Sequence, residues 1–444
     1  MDYQSEYQKK LTSLEGAYSM LKDGDLFYAG TATAEPVTFL KHIHEMHGKL
    51  HNLTMHINLA LANVPAYDPK YADMWNVQSS FFARFLTPLQ RAGMSTYMPS
   101  HLRNIGVDPE YRYKNITNQR VNAYVLAVSP MDKHGYFTSS SYACYHRTWM
   151  DYADKVIVEV NENAPRTFGD TYIHISEVDA IIHSEDNKII YMPIKEPDED
   201  DKAIGKQIAD LIKDGDNIQL GIGGIPTACA RELAVRKDLG VHTEMLNDGL
   251  VYLAKAGAIT NKKKNYFPDK IITTFSMGTK DVYDYIDDNP NVLHLDVAYT
   301  NNPKVFARND NVISVNSCLQ IDLMGQCASE AIGTNQISGV GGQTETAVGA
   351  KESLGGKSVI ALHSTRMLKQ PDGSKKMVSN IVPVHPAGTV ISLMRNDVDF
   401  VCTEYGMAAL RGASLKERSK ALISIAHPDF RAELEEQAKK WYLM

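Results

Sequence analysis

Short apolar runs bounded by polar turns recur along the chain, separated by stretches with helical spacing. Leu26-Phe27-Tyr28-Ala29, Lys155-Val156-Ile157-Val158-Glu159-Val160, Asn217-Ile218-Gln219-Leu220 and Ser358-Val359-Ile360-Ala361-Leu362 each predict a short strand. Strands alternating with helices predict mostly parallel sheets covered on both faces. Two of these runs also share their surroundings. Leu21-Lys22-Asp23-Gly24-Asp25 precedes the first and Ile212-Lys213-Asp214-Gly215-Asp216 the third, with Gly30 and Gly221 following at the same distance. Each copy reads as helix, Asp-Gly turn, strand, glycine-containing loop and second helix. The expected fold is therefore α/β, with two tandem, structurally related open α/β domains and mostly parallel sheets. Glu196-Pro197-Asp198-Glu199-Asp200-Asp201 is acidic, carries a proline and lacks periodicity, so it reads as a solvated linker. Domains are accordingly expected at 1–195 and 203–444. Ligands on such sheets gather at the carboxyl ends of strands, which directs attention to the Gly30 and Gly221 loops.

Composition narrows the class. With 444 residues the chain can hold two or three domains with full cores. Apolar residues make up 43% and charged residues 22%, a globular balance with no apolar run long enough to span a membrane. A net charge of −7 argues against a general nucleic-acid binder, while leaving room for a local basic patch to hold one anionic cofactor. Met1-Asp2-Tyr3-Gln4-Ser5-Glu6 has no basic stretch followed by an apolar one, so a cytoplasmic rather than secreted protein is expected. The five cysteines form no C-x-x-C pair, which predicts neither a disulfide framework nor a zinc knuckle.

Candidate chemistry concentrates at two glycine clusters and one acid. Gly221-Ile222-Gly223-Gly224-Ile225-Pro226 joins a strand to a helix, where a close-approaching backbone and unpaired N–H groups suit a phosphate or an oxyanion. A tight turn without a ligand is the plainer alternative. A dinucleotide site is a third, with Glu244 as the ribose-binding acid, although Pro226 stands where that fingerprint wants a small residue. Glu244 lies in Gly240-Val241-His242-Thr243-Glu244-Met245-Leu246, placed at a strand end beside the first loop and before an Asn247-Asp248-Gly249 turn. Ser338-Gly339-Val340-Gly341-Gly342-Gln343 forms the second cluster, a mobile flap or a simple connection ahead of a helix expected from Ala347. His42, His44, His47, His51 and His56 miss the H-E-x-x-H spacing and read as the polar end of a helix rather than a metal site. Cys229, in a first helical turn, reads as a packed small residue before it reads as a nucleophile. Lys262-Lys263-Lys264 reads as a solvated loop, with anchoring of an anionic cofactor as the alternative.

Taken in order, several motifs resemble the acetyl-CoA hydrolase/transferase family, the family I CoA-transferases, and within it the 4-hydroxybutyrate and butyrate enzymes that use acetate. They are Gly30 with Glu35-Pro36, Ser129-Pro130-Met131-Asp132-Lys133-His134-Gly135-Tyr136-Phe137, Pro165-Arg166-Thr167-Phe168-Gly169-Asp170 and Gln219 to Pro226. Gly240 to Met245, Asp397 to Gly406, Leu410-Arg411-Gly412 and Ala426-His427-Pro428 complete the set. The resemblance implies a CoA-transferase-like fold and Glu244 as the catalytic carboxylate. It also implies Gln219, Gly221, Ile222, Gly223, Gly224, Gly341, Gly342 and Gln343 as oxyanion- or CoA-binding positions. Coenzyme A is then a substrate, and no metal, nicotinamide or ATP is called for. One departure stands out: the family usually follows G-G-Q with a residue and Asp-Phe, where this chain has Thr344-Glu345-Thr346. The implied partners are an acyl-CoA and a short-chain carboxylate, in a homo-oligomer. A hydrolase on the same fold, an NAD-linked oxidoreductase and a CoA-binding module are the competing classes, and the preferred acyl group is not fixed.

Overall fold

The repeated Asp-Gly turns have the same geometry in the computed structural model, which describes residues 2–444 (of Arg84, the backbone alone). The Asp25 carboxylate accepts from the Lys22 N–H at 2.8 Å, and Asp216 accepts from the Lys213 N–H at 2.8 Å. Gly24 and Gly215 take φ of +80° and +86°, a region that only glycine enters without strain. Each turn then releases the chain into a central strand.

Two sheets grow from those strands. The first has β1 (Leu26–Ala29), β2 (Leu53–His56), β3 (Trp75–Ser79), β4 (Ser95–Tyr97), β5 (Ala123–Val128), β6 (Val156–Val160) and β7 (Ala180–His183). Its order is β7-β6-β5-β1-β2-β3-β4, parallel throughout. The second has β8 (Asn217–Leu220), β9 (Gly240–Val241), β10 (Val312–Ser317), β11 (Lys357–Ala361), β12 (Phe400–Thr403) and β13 (Gly406–Ala409). It runs β9-β8-β10-β11-β12-β13, parallel except for the terminal hairpin β12-β13. Along the sheets, β7-β6-β5-β1-β2 and β12-β11-β10-β8-β9 follow the same chain order. The short sequence match at Lys22 and Lys213 thus marks a five-strand repeat. The central strands β1, β5, β6 and β8 are buried along their whole length, as parallel strands covered on both faces must be. In the second sheet the order reverses between β8 and β10, which places a crevice at Gly221 and beyond Ser317.

The chain divides into two compact units, one running to Met192 and taking in Ile272–Thr300, the other Pro193–Ile271 with Asn301–Met444. The chain therefore passes between units three times. The returning segment is held by backbone pairing: Leu293 and His294 align with Phe168 and Gly169, and Asp170 N–H donates to His294 O at 2.7 Å. Pairing over so long a separation leaves no local sign in composition. The acidic stretch is not a solvated linker. Glu199 onward is not loop but the start of α2 (Glu199–Leu211), following α1 (Val37–His42) of the first unit. Asp198 and Asp201 form a reciprocal capping box, and Asp201 is buried. The acidic run complements the positive end of the helix. No helix among the described residues is long and apolar enough to cross a membrane.

Candidate active site

Glu244 sits just past β9, and side chains from later in the chain fix its approach. Val241 N–H donates to Asn261 Oδ1 at 2.8 Å, and Val241 O accepts from Lys264 Nζ at 2.8 Å. Lys264 also donates to Lys270 O at 2.7 Å and is 4% exposed, so desolvation pulls its ammonium down to about 7. The lysine run is therefore not wholly a solvated loop: its last member is an internal brace. On the other side of Glu244, Asn247 is not a simple turn residue but the N-cap of α4 (Asp248–Lys255), preceded in the chain by α3 (Gly224–Leu233). Its Nδ2 donates to Leu220 O at 3.0 Å and Gly221 O at 2.9 Å, tying the Glu244 segment to the first glycine loop.

The Glu244 carboxylate is partly buried and meets two donors. Asn301 Nδ2 donates to Oε2 at 2.8 Å, and the Gly342 N–H also donates to the carboxylate. Burial raises the carboxyl to about 7, outweighing the lowering by both hydrogen bonds. A Cβ at Gly342 would overlap Glu244 Oε2 and Asn301 Nδ2, so glycine is a steric requirement there. Gly341 takes φ of +58°, and Gly342 caps α5 (Gln343–Glu352), which starts four residues earlier than the expected Ala347. Glu345, in the first turn of α5, accepts from the same Asn301 Nδ2 at 3.1 Å.

Gln343 and Gln219 reach this place through the sheet. Gln343 Nε2 donates to Ser317 O at 2.6 Å, at the end of β10. Gln219 Oε1 accepts from Ser314 Oγ at 2.7 Å, Asn316 Nδ2 donates to Ser314 Oγ at 2.9 Å, and Asn316 Nδ2 donates to Thr346 Oγ1 at 3.0 Å. A polar relay thus links the strand before the first loop to the helix after the second. Thr346 belongs to that relay at a position where the family motif has an apolar ring.

The first glycine loop turns sharply into α3. Gly223 is the N-cap with φ of +112° and no side-chain cap, leaving the first amides of the helix to a ligand or water. Gly221 N–H is already given to Val315 O at 3.2 Å, whereas Ile222 and Gly223 are exposed at the loop tip. Gly224 packs directly on the Asp201 carboxylate, which accepts from His363 Nε2 at 2.8 Å and Lys195 Nζ at 3.2 Å. Asp198, Asp201 and His363 are a group of three side chains within reach of one cation, but the two aspartates already serve the capping box. The structure thus joins Gly342 to Glu244 directly, and Gln219, Gly221 and Gln343 through neighbours.

Other residues disperse. His42 pairs with Glu45 and Glu185, His47 with Asp73 and His51 with Asp23, at separate surface positions. His56 is fully buried against the Tyr28 and Trp149 rings, and burial drops it to about 3. Cys229 is enclosed beside Gly205 of α2, where burial drives its thiol far above the ordinary range, unsuited to a thiolate. The sequence gives no sign of Asn301, and it marks Asn247 only as a turn residue and Glu345 only as part of a departure from the family motif. Asn247 ahead of an apolar run is an N-cap signal, but Asn301 and Glu345 meet Glu244 only in three dimensions.

The N-terminal domain model of the acetyl-CoA hydrolase/transferase family matches residues 1–193, and its C-terminal domain model matches residues 278–438. The chain belongs to the acetyl-CoA hydrolase/transferase family. It is 39% identical over 446 residues to the 4-hydroxybutyrate coenzyme A transferase of Clostridium kluyveri, covering 99% of this chain and 100% of the relative. It is 37% identical over 447 residues to the butyryl-CoA:acetate CoA-transferase of Anaerostipes caccae, covering 99% and 98%. The crystal structure of RipA from Yersinia pestis superposes with a TM-score of 0.91 at 34% identity, covering 100% of each chain. The tandem α/β fold is that of the CoA-transferases, and the chain is an enzyme of that class.

Proposed function

We propose that this enzyme moves CoA between a short-chain acyl-CoA and acetate, with Glu244 as the covalent carrier. The observation that carries the reading is the Glu244 carboxylate, desolvated and held by the Asn301 amide and the Gly342 N–H. The names of the relatives from Clostridium kluyveri and Anaerostipes caccae support the substrate class.

The chemistry favours a carboxylate over a hydroxyl. A serine would keep the acyl group as an ester, whereas a carboxylate forms a mixed anhydride that CoA thiolate can still open. One Glu244 oxygen attacks the thioester carbonyl, the C–S bond breaks, and CoA leaves as thiolate. The thiolate then adds to the glutamyl carbonyl, expelling the first acid and leaving a glutamyl-CoA thioester. Acetate attacks that thioester and the two steps run in reverse. Oε2, held by Asn301, remains in place while its partner reacts. When sulfur adds, that oxygen becomes the oxyanion and already faces the Asn301 amide; one such donor is worth roughly 3–4 kcal/mol in hydrolases. The α3 amides beyond Gly221 are the matching donors for the oxyanion of the substrate carbonyl. Gln219 and Gln343 orient the two loops through the relay and Ser317.

Water reaching the anhydride would turn the same residues into a hydrolase. With acyl-CoA alone, thioester should therefore persist, and acetate should trigger acyl exchange; equal thioester loss with and without acetate would favour hydrolysis. The pH profile follows from the raised pKa of Glu244. The nucleophile must be ionised, so kcat/KM for acyl-CoA should rise with pH through about 7 and fall below it. A profile flat between pH 5 and 8 would contradict the assignment. A cytoplasmic homo-oligomer without nucleic-acid partners completes the reading, supported by the net charge of −7 and checked by sedimentation.

A further inference from the structure

We propose that Glu345 is a positioning residue for the transfer reaction, holding the Asn301 amide so that Nδ2 rather than Oδ1 faces Glu244. This rests on the reading of Glu244 as the carrier. Asn301 is fully buried, and its Nδ2 carries two hydrogens. One goes to Glu244 Oε2 at 2.8 Å and the other to Glu345 Oε2 at 3.1 Å. On the opposite side, Asn301 Oδ1 is buried without a hydrogen-bond partner among the described residues. The amide is therefore oriented from the carboxylate side. A flipped amide would place Oδ1 against two carboxylate oxygens.

Glu345 makes the arrangement robust because Glu244 alone cannot. During the reaction Glu244 is converted to an anhydride and then a thioester, and its oxygens lose most of their accepting power. Glu345 is not consumed, so it keeps one Asn301 hydrogen committed while the other awaits the oxyanion. The same turn of α5 supplies both contacts, since Gly342 and Glu345 are separated by one helical repeat. The Gly342 N–H and the Asn301 orientation therefore depend on the same helix start. The carboxylate of Glu345 stands where the family motif has aspartate, so the acceptor is retained in a longer side chain.

The test is a double-mutant cycle on the full-length enzyme, with Glu345→Leu, Asn301→Ala and the double variant. Glu345→Leu should lower kcat about 10- to 100-fold with KM for acyl-CoA changed less than about 3-fold. Glu345→Gln, which keeps an accepting oxygen, should recover most of that loss. In the Asn301→Ala background Glu345→Leu should cost nothing further, because the residue acts through the missing amide. Losses that multiply in the double variant, or a Glu345→Leu enzyme equal to the parent, would overturn the proposal. Should Glu345→Leu not fold, Glu345→Ala is read in the same way. Labelling of Glu244 by acyl-CoA in the parent enzyme, measured alongside, separates failure of this proposal from failure of the carrier assignment.

Discussion

Glu244→Ala is expected to lose CoA transfer by about 10³-fold or more while folding as the parent does. The side chain supplies the atom that bonds to the acyl group, so its loss removes a reaction step rather than weakening one. The fold should tolerate the change. Glu244 spends its carboxylate on Asn301 and Gly342, and burial disfavours its ionised form, which is a poor use of a carboxylate for stability alone. Steady-state exchange of labelled acetate and a thermal melt together check both halves. A variant retaining a tenth of the parent rate would mean that another group carries the acyl chain.

Gly342→Ala is the second large effect, expected to lower kcat about 100-fold. Gly342 has φ of −98°, so its backbone is not what excludes a side chain. The obstacle is space: a methyl group there lands on Glu244 Oε2 and Asn301 Nδ2 together. Either the carboxylate or the amide must leave the position from which it acts, and the Gly342 N–H moves as well. Gly341→Ala serves as the contrast. Its φ of +58° lies in the left-handed region, where a side chain costs roughly 1–2 kcal/mol of stability. The expected pattern is a catalytic defect in the first variant and a stability defect in the second, separated by kinetics and urea melts. A Gly342→Ala enzyme with parental kcat would refute the steric argument.

Much of this was legible in the chain because it is locally encoded. The Asp-Gly turns, apolar strand runs and glycine-rich strand-to-helix loop are short-range patterns, and their repetition pointed to two related α/β domains. The place of Glu244 near a strand end, beside the first glycine loop, was legible in the apolar alternation before it. Contacts made over long separations were not. Asn301 is 57 residues from Glu244 and Glu345 is 44 from Asn301, so neither leaves a periodic trace. The excursion of Ile272–Thr300 into the first unit depends on backbone pairing with Phe168 and Gly169, which any extended segment could make. Lys264 misled for a related reason, since a lysine beside two others looks solvated until the two carbonyls that receive it are known. The acidic run at Asp198 misled differently: a helix N-terminus and a linker share that composition, and only the capping box tells them apart.

The most direct test of the carrier is to incubate the enzyme with acyl-CoA alone, reduce with borohydride, digest and map the modified residue by mass spectrometry. Glu244 should be found reduced to the alcohol left by a captured glutamyl thioester, in an acyl-CoA-dependent manner. An unmodified Glu244 beside a modified residue elsewhere, or no covalent capture at all under turnover conditions, would contradict it.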